Sequence, residues 1–190
     1  MIGSILPRPI AFVSTCSLDG ILNLAPFSYF NGVCSKPPTI MFAPARRGYD
    51  GKTKDTLNNI RDIGEFAVNI VSEDFAEKMV TCSTDFEPDI NEFEISGLTP
   101  SSCQKIQPPY VKEARVSFEC KLNQIVPIGE KGPGGGFVVI GTIVLFHVSE
   151  EVYENGKINL KKLSPIGRLS GNNYSRITDP FEIIRQVKPE

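Results

Sequence analysis

The chain has 190 residues, 41% of them hydrophobic and 22% charged, with a formal net charge of −2. That length suits one compact domain over residues 1–190 and leaves little room for a second. The balanced charge gives no bulk attraction to nucleic acid or anionic lipid, though a local basic patch can still hold one small anion, and no apolar run approaches the ~20 residues that span a bilayer.

Met1 to Ile10 is apolar, is broken by Pro7 and Pro9 and lacks a charged leader. It reads as the entry to a first strand, not a signal peptide, and the cytoplasm is the expected location. Pro9 to Ser14 is that strand; Ser17-Leu18-Asp19-Gly20 makes the turn and Ile21 to Ala25 the return, since Asp-Gly is a strong hairpin signal. Pro26 to Val33 is aromatic and reads as irregular. Lys36-Pro37-Pro38 interrupts it before a buried strand over Thr39 to Ala43. Ala45 to Lys54 is a polar, basic loop. Leu57, Ile60 and Ile63 then recur at helical spacing, and Gly64 is a good residue to end the helix.

Glu65 to Val71 alternates as a strand, and Ser72 to Val80 predicts a short helix with Phe75, Met79 and Val80 inward. Cys82 to Pro109 lacks periodicity and predicts loops and short helices over the core. Two long strands, Ala114 to Val126 and Phe137 to Val148, flank a glycine-rich loop at Gly129 to Gly136, and Asn155-Gly156 marks a last turn between Val152-Tyr153 and Ile158-Leu160. The glycine run lacks a Gly-Lys-Ser/Thr ending and is not a P-loop. Mainly β order with a few helices and hairpin connections favours an antiparallel barrel over an alternating Rossmann sheet.

The five cysteines (Cys16, Cys34, Cys82, Cys103, Cys120) are scattered and form no C-x-x-C pair. Buried or half-buried free thiols are expected, and no disulfide framework or metal site. His147 is the single histidine. It follows an apolar run, where a strand-end position is the plain expectation.

Three segments carry the chemical interest. Asn23-Leu24-Ala25-Pro26-Phe27-Ser28-Tyr29-Phe30-Asn31, leading into Ser35-Lys36-Pro37-Pro38, sets aromatics beside small residues on a backbone free to read a flat heterocycle. Arg46-Arg47 through Lys52, Lys54, Asp55 and Thr56 sets four cations ahead of a helix start, where open N–H groups and forked guanidinium donors suit a terminal phosphate. Pro165 to Arg176, with Asn172 and Tyr174, is a glycine- and asparagine-rich loop able to fold over a ligand. Taken singly, each has a plainer reading: a barrel-closing aromatic loop, a solvated basic loop, a tail docked on the barrel.

Together they resemble the flavin reductase-like, FMN-binding split-barrel family. The likeness rests on Pro7-Arg8-Pro9-Ile10-Ala11-Phe12-Val13-Ser14-Thr15, the aromatic loop, the Lys54-Asp55-Thr56 helix entry, Gly64-Glu65-Phe66-Ala67-Val68-Asn69 and Gly167-Arg168-Leu169 to Tyr174, met in the same order over nearly the whole chain. Members commonly carry a further leader ahead of the Pro-Arg-Pro block, and Arg185-Gln186 stands where relatives often have Arg-Pro.

The resemblance implies a six-stranded antiparallel split β-barrel, usually a homodimer, with FMN near the subunit interface. The backbone of Ala25 to Phe30 would meet the ring and ribityl. Arg46, Arg47, Lys54 and Thr56 would lie near the phosphate, and Gly171 to Tyr174 would close the site. It also implies NADH or NADPH as reductant and, in some relatives, a monooxygenase partner. The chemistry would be carried by the flavin, consistent with the lack of an obvious acid–base pair in the sequence. The rival readings are an FMN electron-transfer protein reduced by a protein partner, and a non-catalytic dimer that has lost the flavin.

Overall fold

The computed structural model describes residues 1–186. The chain opens with a hairpin of β1 (Ala11–Cys16) and β2 (Leu22–Phe27), in register from Ala11 opposite Phe27 to Cys16 opposite Leu22. Its turn closes as Gly20 N–H donates to the Ser17 carbonyl at 3.0 Å. Only Ser28 and Tyr29 separate β2 from β3 (Phe30–Ser35), which pairs with β4 (Pro38–Phe42). α1 (Asp55–Ile63) and β5 (Glu65–Ile70) follow, then a 3-10 turn at Glu73–Phe75 leading into α2 (Ala76–Thr81). An excursion holds α3 (Glu92–Ser96) and the two-residue strands β6 (Pro100–Ser101) and β7 (Tyr110–Val111).

The long strands β8 (Val116–Ile128) and β9 (Gly136–Val148) form a hairpin. A small hairpin of β10 (Tyr153–Glu154) and β11 (Lys157–Ile158) comes next, with Asn155 and Gly156 both at positive φ as an Asn-Gly turn requires. α4 (Leu160–Leu163) and the paired strands β12 (Ile166–Arg168) and β13 (Tyr174–Arg176) complete it.

Seven strands form one antiparallel sheet in the order β2-β1-β5-β8-β9-β4-β3. Its two edges, β2 and β3, are consecutive in the chain and two residues apart. The sheet must therefore curl until its edges meet, giving a barrel split along the β2/β3 seam. The expected count was six; the seventh is β3, in the stretch read as irregular. Pro26 is tolerated in β2 because an edge strand does not need that N–H for a second ladder. The register slips between Gly32 and Cys34, a bulge on the other edge strand that weakens its signature in the sequence.

β1 is buried along its whole length. Ala11 and Val13 face the barrel interior with Phe27, Phe42, Phe66, Val68 and Val139, and Leu57 and Ile60 of α1 join the same core. Ile10 and Phe12 face the other way, into a second core with Phe75, Met79, Phe93 and Ile166. Each fully buried side chain of this size contributes about 1.5–3 kcal/mol. Val80 does not join them: it is 42% exposed, because α2 starts only at Ala76 and its short apolar stripe is satisfied by Met79.

Two glycines are required by geometry. Gly64 ends α1 at φ 75°, and its N–H bonds the Ile60 carbonyl. A Cβ on Gly141 would lie 2.4 Å from the Phe66 ring. Of the cysteines, Cys16, Cys82 and Cys120 are buried and Cys103 half-buried, whereas Cys34 is exposed on β3. No helix among the described residues is long and apolar enough to cross a membrane.

Candidate functional site

The start of α1 is open. Lys54 takes the N-cap position with extended backbone (φ −74°, ψ 152°), and no side chain caps the helix. Its first-turn N–H groups thus carry the partial positive charge of a helix start. The preceding loop folds back on itself: Arg47 N–H donates to the Lys52 carbonyl at 2.9 Å and Gly51 N–H to the Arg47 carbonyl at 3.0 Å. This draws the Arg47 side chain inward until the residue is only 8% exposed. Its Nη1 donates to Tyr49 Oη at 3.0 Å and its Nη2 to Asp55 Oδ2 at 2.6 Å. Its Nε is buried with no hydrogen-bond partner among the described residues. A buried cation with an unused donor beside an uncapped helix start has the chemistry to attract an anion.

Arg47 lines a cleft with Asn23, Ala25, Pro26 and Phe27 of β2 on one side and Lys54, Asp55 and Thr56 of α1 on another. Residues Cys82 to Phe86 and Glu92, from the excursion, form the facing wall. Beneath it runs a buried polar chain. Thr56 Oγ1 and Thr15 Oγ1 donate to Asn23 Oδ1 at 2.7 and 3.3 Å, and Asn59 Nδ2 donates to Thr15 Oγ1 at 3.1 Å. Asn23 Nδ2 donates to Glu92 Oε1 at 2.9 Å, and Leu24 N–H to Glu92 Oε2 at 3.0 Å. Burial raises the Glu92 pKa above the ordinary carboxylate value; the bonds from Leu24 and Asn23 oppose the rise and the Asp55 charge adds to it. Glu92 thereby fixes the backbone of β2 where it borders the cleft.

The expected site residues distribute over three neighbouring hollows. Ala25, Pro26, Phe27, Arg47, Lys54, Asp55 and Thr56 share the cleft just described. Ser28 and Tyr174 line an adjoining hollow that has Pro26 and Ser83 in common with it and adds Ile10, Met79 and Arg168. There the Arg168 guanidinium lies 4.6 Å from the centre of the Tyr174 ring. Arg46 and Lys52 line a third hollow that shares Arg47 and Asp55. The Arg46 guanidinium sits 4.9 Å from the centre of the Phe137 ring and donates to the Gly51 carbonyl, while the Lys52 side chain is 78% exposed.

Tyr29, Phe30, Asn31 and Asn172 lie outside these three hollows. The Tyr29 carbonyl accepts from Ala43 N–H at 2.8 Å and its ring lies 5.8 Å from the Arg8 guanidinium. Phe30 packs against the barrel core, and Asn31 and Asn172 are exposed. The basic segment is also partly neutralised from within: Lys54 Nζ pairs with Asp85 Oδ1 at 2.5 Å and Arg47 with Asp55.

Sequence reasoning did not name Glu92 or the wall from Ser83 to Phe86. Asp85, facing Lys54, gives no periodic signal, and Glu92 reads as one acid among many in a polar stretch. Asn23 heads the aromatic segment, but only the fold reveals that it ties β2 to both α1 and α3.

Fold and cleft define a split-barrel protein that sets a buried guanidinium and an uncapped helix start beside Ala25, Pro26 and Phe27 of β2. Residues 2–163 match the family model described as Flavin reductase like domain, and the chain belongs to that family. An uncharacterized protein of Aquifex aeolicus is 45% identical over 175 residues, 92% of this chain and 86% of the relative. Nitrilotriacetate monooxygenase component B from Bacillus cereus superposes with a TM-score of 0.91 at 40% identity, covering 96% of this chain and 90% of that one. The 2-nitrobenzoate 2-nitroreductase NbaA of Pseudomonas fluorescens superposes at 0.84 with 35% identity, over 97% and 88%.

Proposed function

We propose that this protein is an NAD(P)H-dependent flavin reductase that holds FMN in the cleft between β2, α1 and the Cys82–Phe86 wall. The observation that carries the reading is Arg47: a buried guanidinium with an unpaired Nε beside an uncapped helix start, in a chain of the flavin reductase-like family. Arg47, the α1 N-terminus and Lys54 would take the phosphate. Ala25 to Phe27 would border the ring, held by the Glu92 bond to Leu24 N–H. Tyr174 and Asn172, on and beside the β12–β13 hairpin, would cover the open side. When bound, FMN supplies the hydride-accepting ring; the side chains described here bind, orient and shield it.

Two further parts of the proposal concern partners. Val144, Phe146 and Val148 recur on one exposed side of β9, at 38%, 51% and 38% exposure, a row that a second copy of the chain would cover as a homodimer. The likeness to a monooxygenase component supports delivery of reduced flavin to a second protein.

The test is anaerobic titration of FMN-loaded protein with NADH and then NADPH, following the visible absorption of oxidised flavin. Bleaching by either nucleotide is the expected outcome and identifies the reductant. Bound flavin that neither nucleotide bleaches would overturn the reductase reading and leave electron transfer from a protein donor. Protein that ignores added FMN would overturn both.

A further inference from the structure

A second buried polar cluster lies away from the cleft. Glu119 of β8 is fully buried, and its two carboxylate oxygens accept from Gln104 N–H at 2.8 Å and Lys105 N–H at 2.6 Å. His147 of β9 stands two pairs along the ladder, opposite Ser117, so it is a diagonal neighbour of Glu119 on one face. Its Nε2 is 2.6 Å from Glu119 Oε1. Tyr110 stacks on the imidazole with ring centres 4.3 Å apart, which holds the ring plane. Cys103, in the excursion, completes the group: its Sγ, a Glu119 oxygen and a His147 nitrogen all lie within 4.8 Å of one another.

We propose that Cys103, Glu119 and His147 form a zinc site that staples the excursion between α3 and β8 onto the long β8–β9 hairpin. Thiolate, imidazole and carboxylate are the donors Zn2+ takes, and with three protein ligands the fourth position falls to water, an open site unlike the closed four-ligand kind. Charge favours the same ion. A thiolate, a carboxylate and a neutral imidazole around Zn2+ sum to zero, so the metal-bound unit is neutral overall.

The metal-free cluster is close to the needed geometry without already having it. Tetrahedral zinc with ordinary bond lengths sets its ligand atoms roughly 3.3–3.6 Å apart. The His147–Glu119 contact has to open by about 0.7 Å, and no other separation has to close by more than about 1.2 Å. Cys103 is half-exposed and sits in a loop, so it is the ligand able to move. Binding forms the Zn–S bond as the S–H bond breaks, and the proton leaves to solvent. The three ligands come from segments 103, 119 and 147, so the ion cross-links parts of the chain that the two-residue strands β6 and β7 secure only weakly.

The experiment uses the full-length chain without a histidine tag, stripped with chelator and titrated with ZnCl2 alone against a colorimetric competitor. Cobalt(II) replaces zinc in a parallel series. The expected result is one ion per chain, a near-ultraviolet thiolate-to-cobalt absorption band and a higher melting temperature with metal. Cys103→Ala should weaken binding at least about tenfold and abolish the band, while Cys34→Ala, at the exposed cysteine of β3, should change neither. Cys103→Ala is checked for an unaltered far-ultraviolet spectrum without metal. Absence of stoichiometric binding at micromolar zinc, or binding and a cobalt band that survive Cys103→Ala, would overturn the proposal.

Discussion

Two buried arginines lie near β2, and they are used in opposite ways. Arg8, 6% exposed, is engaged at every nitrogen: its Nε donates to Ser28 Oγ at 3.2 Å, Nη1 to the Ile2 and Ile5 carbonyls at 2.9 Å each, and Nη2 to the Leu169 carbonyl at 2.9 Å. Arg47, 8% exposed, is bonded at both terminal nitrogens but leaves Nε open beside a helix start. Burial alone does not tell them apart. What separates them is whether the guanidinium's donors are consumed by the chain's own carbonyls, which makes a clasp, or held in reserve, which makes a seat for something else.

The comparison is most directly broken by removing each cation. Arg8→Ala should cost about 3 kcal/mol of folding stability, because charge-assisted bonds joining the N-terminal segment, the β2/β3 turn and the β12 region disappear together. Urea denaturation reads this; a midpoint within error of wild type would show that the clasp is decorative. Arg47→Ala should do the reverse. FMN affinity should fall by about 30-fold, the equivalent of about 2 kcal/mol, with a far smaller change in the urea midpoint. Flavin fluorescence quenching measures the affinity, and an unchanged dissociation constant would remove Arg47 from the phosphate seat.

Glu92→Gln sharpens the comparison from the cleft floor, at about 1–2 kcal/mol, since one amide oxygen cannot accept from both Asn23 and Leu24 and leaves a buried donor unpaired. It also has a pH signature. Burial raises the folded-state pKa of Glu92, so the folded protein holds that proton at a higher pH than the unfolded chain. Wild type should therefore gain stability relative to the glutamine variant as pH falls from neutral through the folded pKa, and the gain should end near the ordinary carboxylate value of about 4.3. Denaturation of both proteins across that range tests it, and a constant gap would show that Glu92 does not titrate differently on folding. The smallest effect belongs to Arg46→Ala. Its guanidinium is occupied by Phe137 and the Gly51 carbonyl, so FMN affinity should move less than about threefold.

Much of the barrel was legible because its signals are local. Asp19-Gly20 and Asn155-Gly156 each make the turn their backbone preferences demand, and the Leu57–Ile60 spacing with Gly64 bounds α1 at the residue expected. β3 was not legible: its Asn31-Gly32 pair and its bulge lack alternation, and it becomes a strand because β4 offers a paired edge. Val80 was misassigned for a related reason. A six-residue helix has one inward stripe, and which residue occupies it depends on where the helix begins.

The site divides in the same way. The basic run ahead of a helix start is visible in the residue order, and it alone marks a place where an anion could settle. That Arg47 keeps an open donor whereas Arg46 is spent on Phe137 depends on the loop's folding back through the Lys52 and Gly51 bonds. That Asn23, Thr56 and Glu92, at most 69 positions apart, share one polar chain depends on the curl of the sheet against α1 and α3. Cys103, Glu119 and His147 are likewise brought together only by cross-strand register and the path of the excursion. By itself, then, the sequence determined the turns, the bounds of α1 and the alternation of the strands other than β3, because neighbouring dihedrals and short-range periodicity govern them. Only the tertiary structure decided which polar groups are used up and which stay open, because that depends on partners far away in the chain.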